Sequence, residues 1–434
     1  MSNYPLEAFE YTERAKARAF LDLLELRGEG CRNELPIAAA PVRNVQEVQQ
    51  TLPPDSALIE YYLSEDLLLI FVITNDTFDL AQVGKSKVED LLQKLDQFER
   101  HMEFPLSSTE EMKKITAALY NYLLQSIKLD WDKVKRLFIV PHWRLYRLPF
   151  CALFDANTGK FLVEKVAITQ VPSASIWHYL SAKRAGRGER SRTYSYFGVA
   201  NPRGDEQRYS AWGLDPSLQQ DIFGCERVVK SAAKLFDPAF DEIRCDKDKK
   251  YHSNNACVLL KEKATYTLFK KYLKDYTIVD LETHAYFDPG KPMRSGFVLV
   301  GEEGEPRWIT AEEVLALHLH PEFQLLVLAT CYGGKVEVTP GNDLLGLIRA
   351  FMAIGACSIL SYRWPLLDEP PTVELLQNFY KSWIQEGKPK DQALQESQKK
   401  LIDKGREGDK LRIYGWPTFD HPYYWAWTLI GDHL

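Results

Sequence analysis

The chain alternates short, nearly continuous apolar runs with longer segments that have helical periodicity. Runs of this kind indicate strands that are buried on both faces, as in a parallel sheet. Two of them, Tyr276–Thr283 and Phe323–Thr330, are followed within four residues by Ala or Gly. The alternation of strands and helices predicts an α/β fold in which helices cover both faces of a mostly parallel sheet.

The same pattern predicts the other elements. Strands are indicated at residues 57–64, 67–74, 77–83, 135–140, 196–202 and 357–362. Helices are indicated at about residues 87–103, 109–127, 225–236, 264–275, 311–318, 344–354, 371–386 and 390–403. Thr310 and Glu313 form a capping-box pattern at one helix start, and Gly355 and Gly387 fall where helices should end.

An amphipathic helix is predicted at the beginning of the chain, from Leu6 to Arg27. Its apolar side is formed by Ala8, Ala15, Ala19, Leu23 and Leu26. Because one helix cannot bury such a face alone, we expect it to pack on the segment that follows or on helical repeats outside this chain.

Four parts of the chain follow from this pattern: an N-terminal helix and linker (1–44), a first α/β unit (45–180), a linker (181–194) and a second α/β unit (195–434). The linker is basic and lacks interleaved aromatic residues. Such a run is typical of a solvated loop rather than a nucleic-acid contact, and it is also a candidate site of proteolytic cleavage.

Composition limits the classes of function. The 434 residues carry a formal net charge of −6, which gives no electrostatic reason to bind nucleic acid. No apolar stretch approaches the roughly 20 residues that cross a bilayer, and the N-terminus lacks a signal-peptide pattern. Seven cysteines without CxxC spacing indicate a reduced, cytoplasmic protein without a zinc site. No glycine-rich phosphate loop is present, so no cofactor is expected.

The candidate chemistry lies at the ends of the two apolar runs. His284 follows the first run and Cys331 the second, 47 residues later. Functional groups gather beyond the carboxyl ends of parallel strands, so these side chains form a candidate thiol–imidazole dyad. Caspase-type enzymes place the histidine about 50 residues before a Cys-x-Gly motif. A single buried cysteine is otherwise a small apolar side chain. His142 has no comparable cysteine partner and is interpreted as part of a structural turn.

The motifs together resemble the CHAT family, caspase-like (clan CD) cysteine proteases that are usually fused to TPR repeats. The resemblance covers about residues 45–434. Its motifs are Val140–Leu153, Thr283–Asp288, Leu328–Gly333, Gly341–Phe351 and Trp425–Gly431. The chain departs from the family at Asp343, where glutamate is frequent, and at Arg363, which replaces an apolar residue. The helix Leu6–Arg27 resembles the one that joins the repeats to the protease, so we expect either a truncated chain or a naturally short member of the family.

The resemblance implies a caspase-like three-layer α/β/α fold with a mostly parallel sheet. The first unit is then a degenerate caspase-like half that replaces the second subunit of a caspase dimer and permits an active monomer. Cys331 is implied to attack the scissile carbonyl and His284 to protonate the leaving amine. The backbone N–H groups of Ala285 and Cys331 are the implied oxyanion donors. Gly333 and Gly334 are expected to keep the nucleophile loop permissive.

Specificity is expected to involve Arg363 and Trp364. Arg363 resembles the arginine by which caspases hold an acidic residue, which suggests cleavage after Asp or Glu. The alternative is that Arg363 points to solvent or pairs with Asp368. Asp343 either contacts the catalytic loops or simply caps the helix predicted at 344–354.

The leading interpretation is a regulated cytoplasmic endopeptidase that cleaves one or a few protein substrates and has a TPR or other regulatory partner. The family resemblance implies a role in bacterial defence, with gasdermin-like or CRISPR-associated substrates. The alternatives are a catalytically silent caspase-like scaffold and an unrelated flavodoxin-like ligand-binding domain. Neither a nucleic acid nor a membrane is expected as a partner.

Overall fold

The computed structural model describes residues 4–26, 43–103, 108–187, 194–204, 222–240, 255–338, 344–366, 368–410 and 416–434. Within these ranges the α-helices, numbered α1 to α12 in chain order, are Tyr4–Leu26, Val45–Thr51, Lys85–Glu103, Thr109–Leu123, Ala174–Arg187, Phe223–Phe236, Tyr266–Tyr272, Ala311–Val314, Leu347–Ala353, Pro370–Tyr380, Lys390–Arg406 and Pro422–Trp425.

The strands in the same ranges, numbered β1 to β18 in chain order, are Ser56–Leu63, Leu67–Ile73, Phe78–Gly84, Arg136–Val140, Phe154–Asp155, Lys160–Phe161, Ala167–Gln170, Tyr196–Ala200, Ala256–Leu260, Ile278–Glu282, Ala285–Tyr286, Gly296–Val300, Pro306–Thr310, Leu325–Leu328, Glu337–Val338, Leu344–Leu345, Ser358–Ser361 and Thr428–Gly431. Helix α8 begins with the predicted capping box of Thr310 and Glu313. Gly355 and Gly387 follow helical segments with positive φ angles of 111° and 69°, as their positions predict.

The chain divides into two compact units. The first is drawn from Met1–Gly188, Val338–Leu344 and Lys390–Leu434, and the second from Glu189–Glu337 and Leu345–Pro389. The second unit thus ends well before residue 434, where the sequence analysis placed its end. The reason is that β18, near the C-terminus, pairs with β7 of the first unit.

The first unit contains strands in the order β3-β2-β1-β4-β7-β18. Strand β2 pairs in antiparallel fashion with both β3 and β1. The pairs β1–β4, β4–β7 and β7–β18 are parallel. Helices α1, α2 and α5 contribute to the core on one face of this sheet. That core includes Phe9, Val48, Leu58, Phe71, Phe138, Val140 and Trp177.

Helix α1 is present as predicted, and Ala8 of its predicted apolar side is half-buried against the core. Ala15 is exposed, whereas Phe9, Thr12, Glu13 and Lys16 are buried. The side chains of Ala19, Leu23 and Leu26 lie outside the described residues. The buried polar residues Glu13 and Lys16 have partners inside the unit.

Two of these polar residues make direct contacts with the sheet and with α5. The Lys16 ammonium group lies 2.7 Å from the carboxylate of Glu60 on β1. The Glu13 carboxylate accepts hydrogen bonds from the backbone N–H groups of Ala174 (3.1 Å) and Ser175 (2.8 Å) at the start of α5. Burial of charged groups in pairs and at helix N-termini offsets their desolvation.

The linker predicted at residues 181–194 is partly helical. Helix α5 continues to Arg187, so residues 181–187 are not a loop. Residues 188–193 lie outside the part of the chain that the structure describes. No helix in the described ranges is long and apolar enough to cross a membrane.

The second unit has a parallel sheet in the order β9-β8-β10-β14-β17. On one face, the Asp280 side chain reaches Tyr380 of α10, and Gly198 packs against Val229 of α6. On the other face, Phe197 of β8 packs against Phe269 of α7. Helices therefore cover both faces, which confirms the prediction of a three-layer α/β unit with a parallel sheet.

A small antiparallel sheet, β11-β12-β13, follows β10 directly in the chain. Neither this sheet nor β9 was predicted from the sequence. Phe297 of β12 packs edge-to-face on Phe269, with ring centroids 5.7 Å apart, and this contact joins the small sheet to α7.

Candidate active site

The two strands that lead to His284 and Cys331 are neighbours in the sheet. β10 and β14 run parallel, with Ile278 paired with Leu325 and Leu281 paired with Leu328. The paired residues are therefore 47 positions apart in the sequence, the same separation as between His284 and Cys331. Each of these two residues lies three positions beyond the last pair. The structure thus places both at the same end of adjacent strands.

The backbone around His284 is held by the small sheet. The N–H of Val298 donates to the His284 carbonyl (2.9 Å), and the Thr283 hydroxyl donates to the Val298 carbonyl (2.7 Å). Bonded and non-bonded pairs alternate in antiparallel sheets. Ala285, paired with Phe297, therefore directs its N–H and carbonyl away from β12, toward the open edge of β11.

The loop that carries Cys331 is bound to the segment after β17. The Tyr332 N–H donates to the Trp364 carbonyl (3.2 Å), and the Gly334 N–H donates to the Tyr362 carbonyl (2.7 Å). Tyr332 has a left-handed backbone conformation with φ of 57°. This conformation is uncommon for a residue with a side chain, so the two hydrogen bonds stabilise a turn that the sequence alone disfavours.

Gly333 and Gly334 are needed for space. The left-handed residue of the turn is Tyr332, so backbone freedom is not the reason for the two glycines. A Cβ on Gly333 would lie 2.3 Å from the Thr330 hydroxyl oxygen, and one on Gly334 would lie 2.8 Å from the Ser361 hydroxyl oxygen. The two glycines are therefore explained by the close packing of the loop on β14 and β17, and not by the backbone flexibility that was expected.

The Cys331 sulfur contacts the backbone of Leu366. The Leu366 N–H donates to Sγ at 3.3 Å, and the Leu366 carbonyl oxygen lies 3.8 Å from Sγ. Burial raises the pKa of the Cys331 thiol, and the hydrogen bond from Leu366 opposes this effect. The thiol is therefore mostly protonated at neutral pH in this conformation.

Arg363 and Trp364 are both buried, at 4% and 3% exposure. Burial contradicts the alternative in which Arg363 points to solvent. Its Cγ would lie 3.0 Å from a Cβ on Gly334, so the aliphatic part of the side chain lies along the nucleophile loop. The carboxylate of Asp368 accepts hydrogen bonds from the N–H groups of Gly224 and Cys225 at the start of α6.

Asp343 lies outside the described residues. Helix α9 begins at Leu347 and its N-cap position is Gly346, so the interpretation of Asp343 as the cap of this helix is not supported.

Beneath the site, β10 carries two buried carboxyl groups that the sequence analysis included in an apolar run. Asp280 accepts hydrogen bonds from the hydroxyl groups of Tyr196 (2.9 Å) and Tyr380 (2.8 Å). Burial raises the pKa of Asp280 to about 7, and burial with the nearby charge of Asp280 raises the pKa of Glu282. The sequence did contain a signal for these groups. Acidic residues are rarely buried without a partner, so their presence inside an apolar run indicates buried hydrogen-bond partners.

His142 is buried in the first unit, as expected for a structural residue. Its Nδ1 lies 3.2 Å from the backbone nitrogen and 3.0 Å from the carbonyl oxygen of Leu63, and its ring packs on Tyr62 with ring centroids 4.6 Å apart. Burial and the charge of Lys16 lower the pKa of His142 to about 3. Among the described residues, no group of three or more His, Cys, Asp or Glu side chains is arranged to hold a metal ion.

Comparison with known protein families agrees with these motifs. The model of the CHAT domain matches residues 113–432. The chain belongs to the CHAT-domain family. Membership supports a caspase-like, protease-type fold for this CHAT protein. No curated protein sequence matches the chain.

Among solved structures, the CHAT protein is similar to two crystal structures of the Saccharomyces cerevisiae separase–securin complex, at 2.6 Å and 3.0 Å resolution. The sequence identities are 10% and 11%, and the TM-score is 0.47 in both cases. The alignments cover 89% of this chain but only 31% and 30% of those chains. The chain thus spans about a third of the length of these proteins.

Proposed function

We propose that this CHAT protein is a cysteine endopeptidase with Cys331 as nucleophile and His284 as its acid–base partner. The observation that carries the proposal is the shared register of the two residues at one end of β10 and β14. An imidazole beside a thiol can activate it as a nucleophile by accepting its proton.

In the proposed reaction, the Cys331 sulfur forms a bond to the scissile carbonyl carbon while the thiol proton passes to His284. The negative charge that develops on the carbonyl oxygen is stabilised by the N–H groups of Ala285 and Cys331. The outward direction of the Ala285 N–H at the edge of β11 supports this role. Collapse of the intermediate breaks the C–N bond, and His284 gives its proton to the leaving amine. Water then hydrolyses the thioester.

The substrate in this proposal is a segment of one or a few proteins. We place Arg363 and Trp364 at the substrate pocket, with Arg363 favouring an acidic residue before the cut. A panel of peptides that differ only in Asp, Glu, Asn or Leu at that position tests this preference. If wild type and Arg363→Ala cleave all peptides of the panel equally well, Arg363 does not determine the preference for an acidic residue.

The biological context in this proposal is bacterial defence in the cytoplasm, with a TPR or other regulatory partner, as the family resemblance implies. The first unit takes the role of the degenerate caspase-like half, so that a monomer suffices for activity. Light scattering during turnover tests this point, and activity confined to a dimer would contradict it.

The decisive experiment compares new protein N-termini in cells that express wild type, Cys331→Ala, His284→Ala or Cys357→Ala. Cys357 is a buried cysteine of the same unit and serves as the matched control. We expect new N-termini with wild type and Cys357→Ala only. A peptide with an electrophilic end group should label Cys331 in the same two proteins. New termini that persist in Cys331→Ala would refute the proposal. Folded wild-type protein that neither cleaves nor reacts with the electrophile would favour the catalytically silent scaffold.

A further inference from the structure

The segment Tyr362–Leu366 is the main support of the Cys331 loop. It supplies three backbone contacts: the Tyr362 carbonyl to Gly334 N–H, the Trp364 carbonyl to Tyr332 N–H, and the Leu366 N–H to the Cys331 sulfur. The position of this segment therefore determines both the shape of the loop and the cover over the thiol.

A carboxylate two residues after the segment attaches it to a helix. The two oxygens of Asp368 accept hydrogen bonds from the backbone N–H groups of Gly224 (2.8 Å) and Cys225 (2.7 Å). These residues begin the 14-residue helix α6, whose N-terminus favours negative charge. The first-turn N–H groups have no partners within a helix, so Asp368 satisfies two of them.

The contact with Asp368 requires that residue 224 has no side chain. A Cβ at this position would lie 2.4 Å from Oδ1 of Asp368 and 3.0 Å from its Cγ. Any other residue at 224 would therefore push the carboxylate away from the helix.

The same carboxylate also acts on β10, the strand that leads to His284. Its negative charge contributes to the raised pKa values of Cys225 and Glu282, although burial is the largest cause for both groups. Asp368 thus lies near Cys225 and near Glu282 of β10.

We propose that Asp368 is a positioning residue for Cys331, which holds the Tyr362–Leu366 segment against the nucleophile loop by binding the N-terminus of α6 and so limits access to the thiol. The inference assigns this role within the site of the proposed function and rests on Cys331 being the reactive group. Loss of the attachment releases the segment and uncovers the sulfur. A substrate or regulatory partner that moves the segment would have the same effect.

The test measures the rate at which iodoacetamide alkylates Cys331 in the full-length protein, followed by peptide mapping so that the other cysteines do not interfere. We expect Asp368→Ala to raise the rate at pH 7.5 by about tenfold. The midpoint of its pH profile should fall toward the value of about 8.5 of a free cysteine, because burial is the main cause of the raised pKa. Asp368→Asn, which keeps one acceptor oxygen, should give an intermediate rate.

Gly224→Ala tests the same contact from the helix side without removing the carboxylate. It should raise the alkylation rate in the same direction, and the double variant Asp368→Ala with Gly224→Ala should be no faster than the faster single variant. Additive effects would contradict the assignment, because both changes are expected to break one contact.

Glu13→Gln is the matched control. Glu13 also binds two N–H groups at a helix start, in the first unit. We expect its thermal stability to fall by an amount similar to that of Asp368→Asn, with an unchanged alkylation rate at Cys331. An unchanged or lower rate in both Asp368→Ala and Gly224→Ala, with the fold intact by circular dichroism, would overturn the inference. Because alkylation needs no peptidase activity, the expected rates without any proteolysis would refute only the proposed function.

Discussion

Gly334 lies directly against the backbone of Tyr362. Its N–H donates to the Tyr362 carbonyl at 2.7 Å, and a Cβ on Gly334 would lie 3.0 Å from that same oxygen. A hydrogen bond and a steric limit thus act at one position, and the close approach of the two backbones depends on the absence of a side chain at residue 334.

Replacement of Gly334 by alanine should therefore destabilise the second unit. We expect a loss of about 1–3 kcal/mol in the free energy of unfolding, the usual cost of an extra methyl group in a packed region, as measured by urea denaturation. Gly290→Ala is the control, because its Cβ would meet only the Asp288 carboxylate at 3.4 Å. Equal stability of the two variants would show that the loop yields to the added group.

Asp280 should make the stability of the protein depend on pH. Its folded pKa is about 7, against a usual value of 3.8, because the group is buried. The unfolded chain releases this proton above about pH 4, while the folded protein keeps it up to about pH 7. Stability is therefore expected to fall as pH rises through this window, by an amount on the order of a few kcal/mol.

Asp280→Asn removes this titration and keeps an oxygen that can accept from Tyr196 and Tyr380. Denaturation midpoints of wild type and Asp280→Asn between pH 4.5 and 7.5 should therefore converge at low pH, with the variant relatively more stable at high pH. If the midpoints of the two proteins change with pH in parallel, Asp280 is not the cause of the pH dependence of stability.

In the buried pair Lys16–Glu60, replacement of Lys16 alone should cost more stability than replacement of both residues. Burial and the nearby Glu13 raise the pKa of Glu60, and Lys16 opposes this. Lys16→Met leaves Glu60 without its partner in a buried position, for which we expect a loss of about 3–5 kcal/mol at pH 8. The loss should shrink at pH 5, where protonation of Glu60 costs less.

The double variant Lys16→Met with Glu60→Gln should recover most of this loss in urea denaturation at pH 8. Recovery indicates that the isolated charge, rather than the lost contact, causes the destabilisation. A double variant as unstable as Lys16→Met alone would mean that packing of α1 dominates.

Gly405 provides a case in which helix propensity and tertiary structure make opposite predictions. It lies near the end of α11, where Ala is intrinsically better than Gly by up to about 1 kcal/mol. A Cβ on Gly405 would, however, lie 1.8 Å from the backbone nitrogen of Asp420. We expect Gly405→Ala to lower the melting temperature by several degrees, a loss of about 1–3 kcal/mol.

Gly84→Ala in the same unit is the comparison, since nothing lies within 4 Å of its Cβ position. It should change stability by no more than about 0.5 kcal/mol. A melting temperature of Gly405→Ala at or above that of wild type would mean that the Phe419–Asp420 backbone moves at little cost.

Much of the second unit could be predicted from the sequence. The apolar runs that become β10 and β14 are long enough to be recognised, and both are buried throughout. The spacing of 47 residues between His284 and Cys331 was also visible, although only the pairing of the two strands shows that it equals their register. Strand β11 of the small sheet has only two residues, too few to show an alternating pattern. Strands β12 and β13, with five residues each, were missed as well.

The alternation of strands and helices, the resemblance to the family, and the positions of His284 and Cys331 after two apolar runs could be read from the residues alone. These are local properties, since periodicity, caps and motifs are readable within a few residues. Only the folded chain shows which polar residues of α1 are buried, why residues 333 and 334 have no side chain, and how Asp368 is attached to Gly224. Each of these depends on contacts between segments that are distant in the chain, and such contacts leave no periodic pattern in either segment.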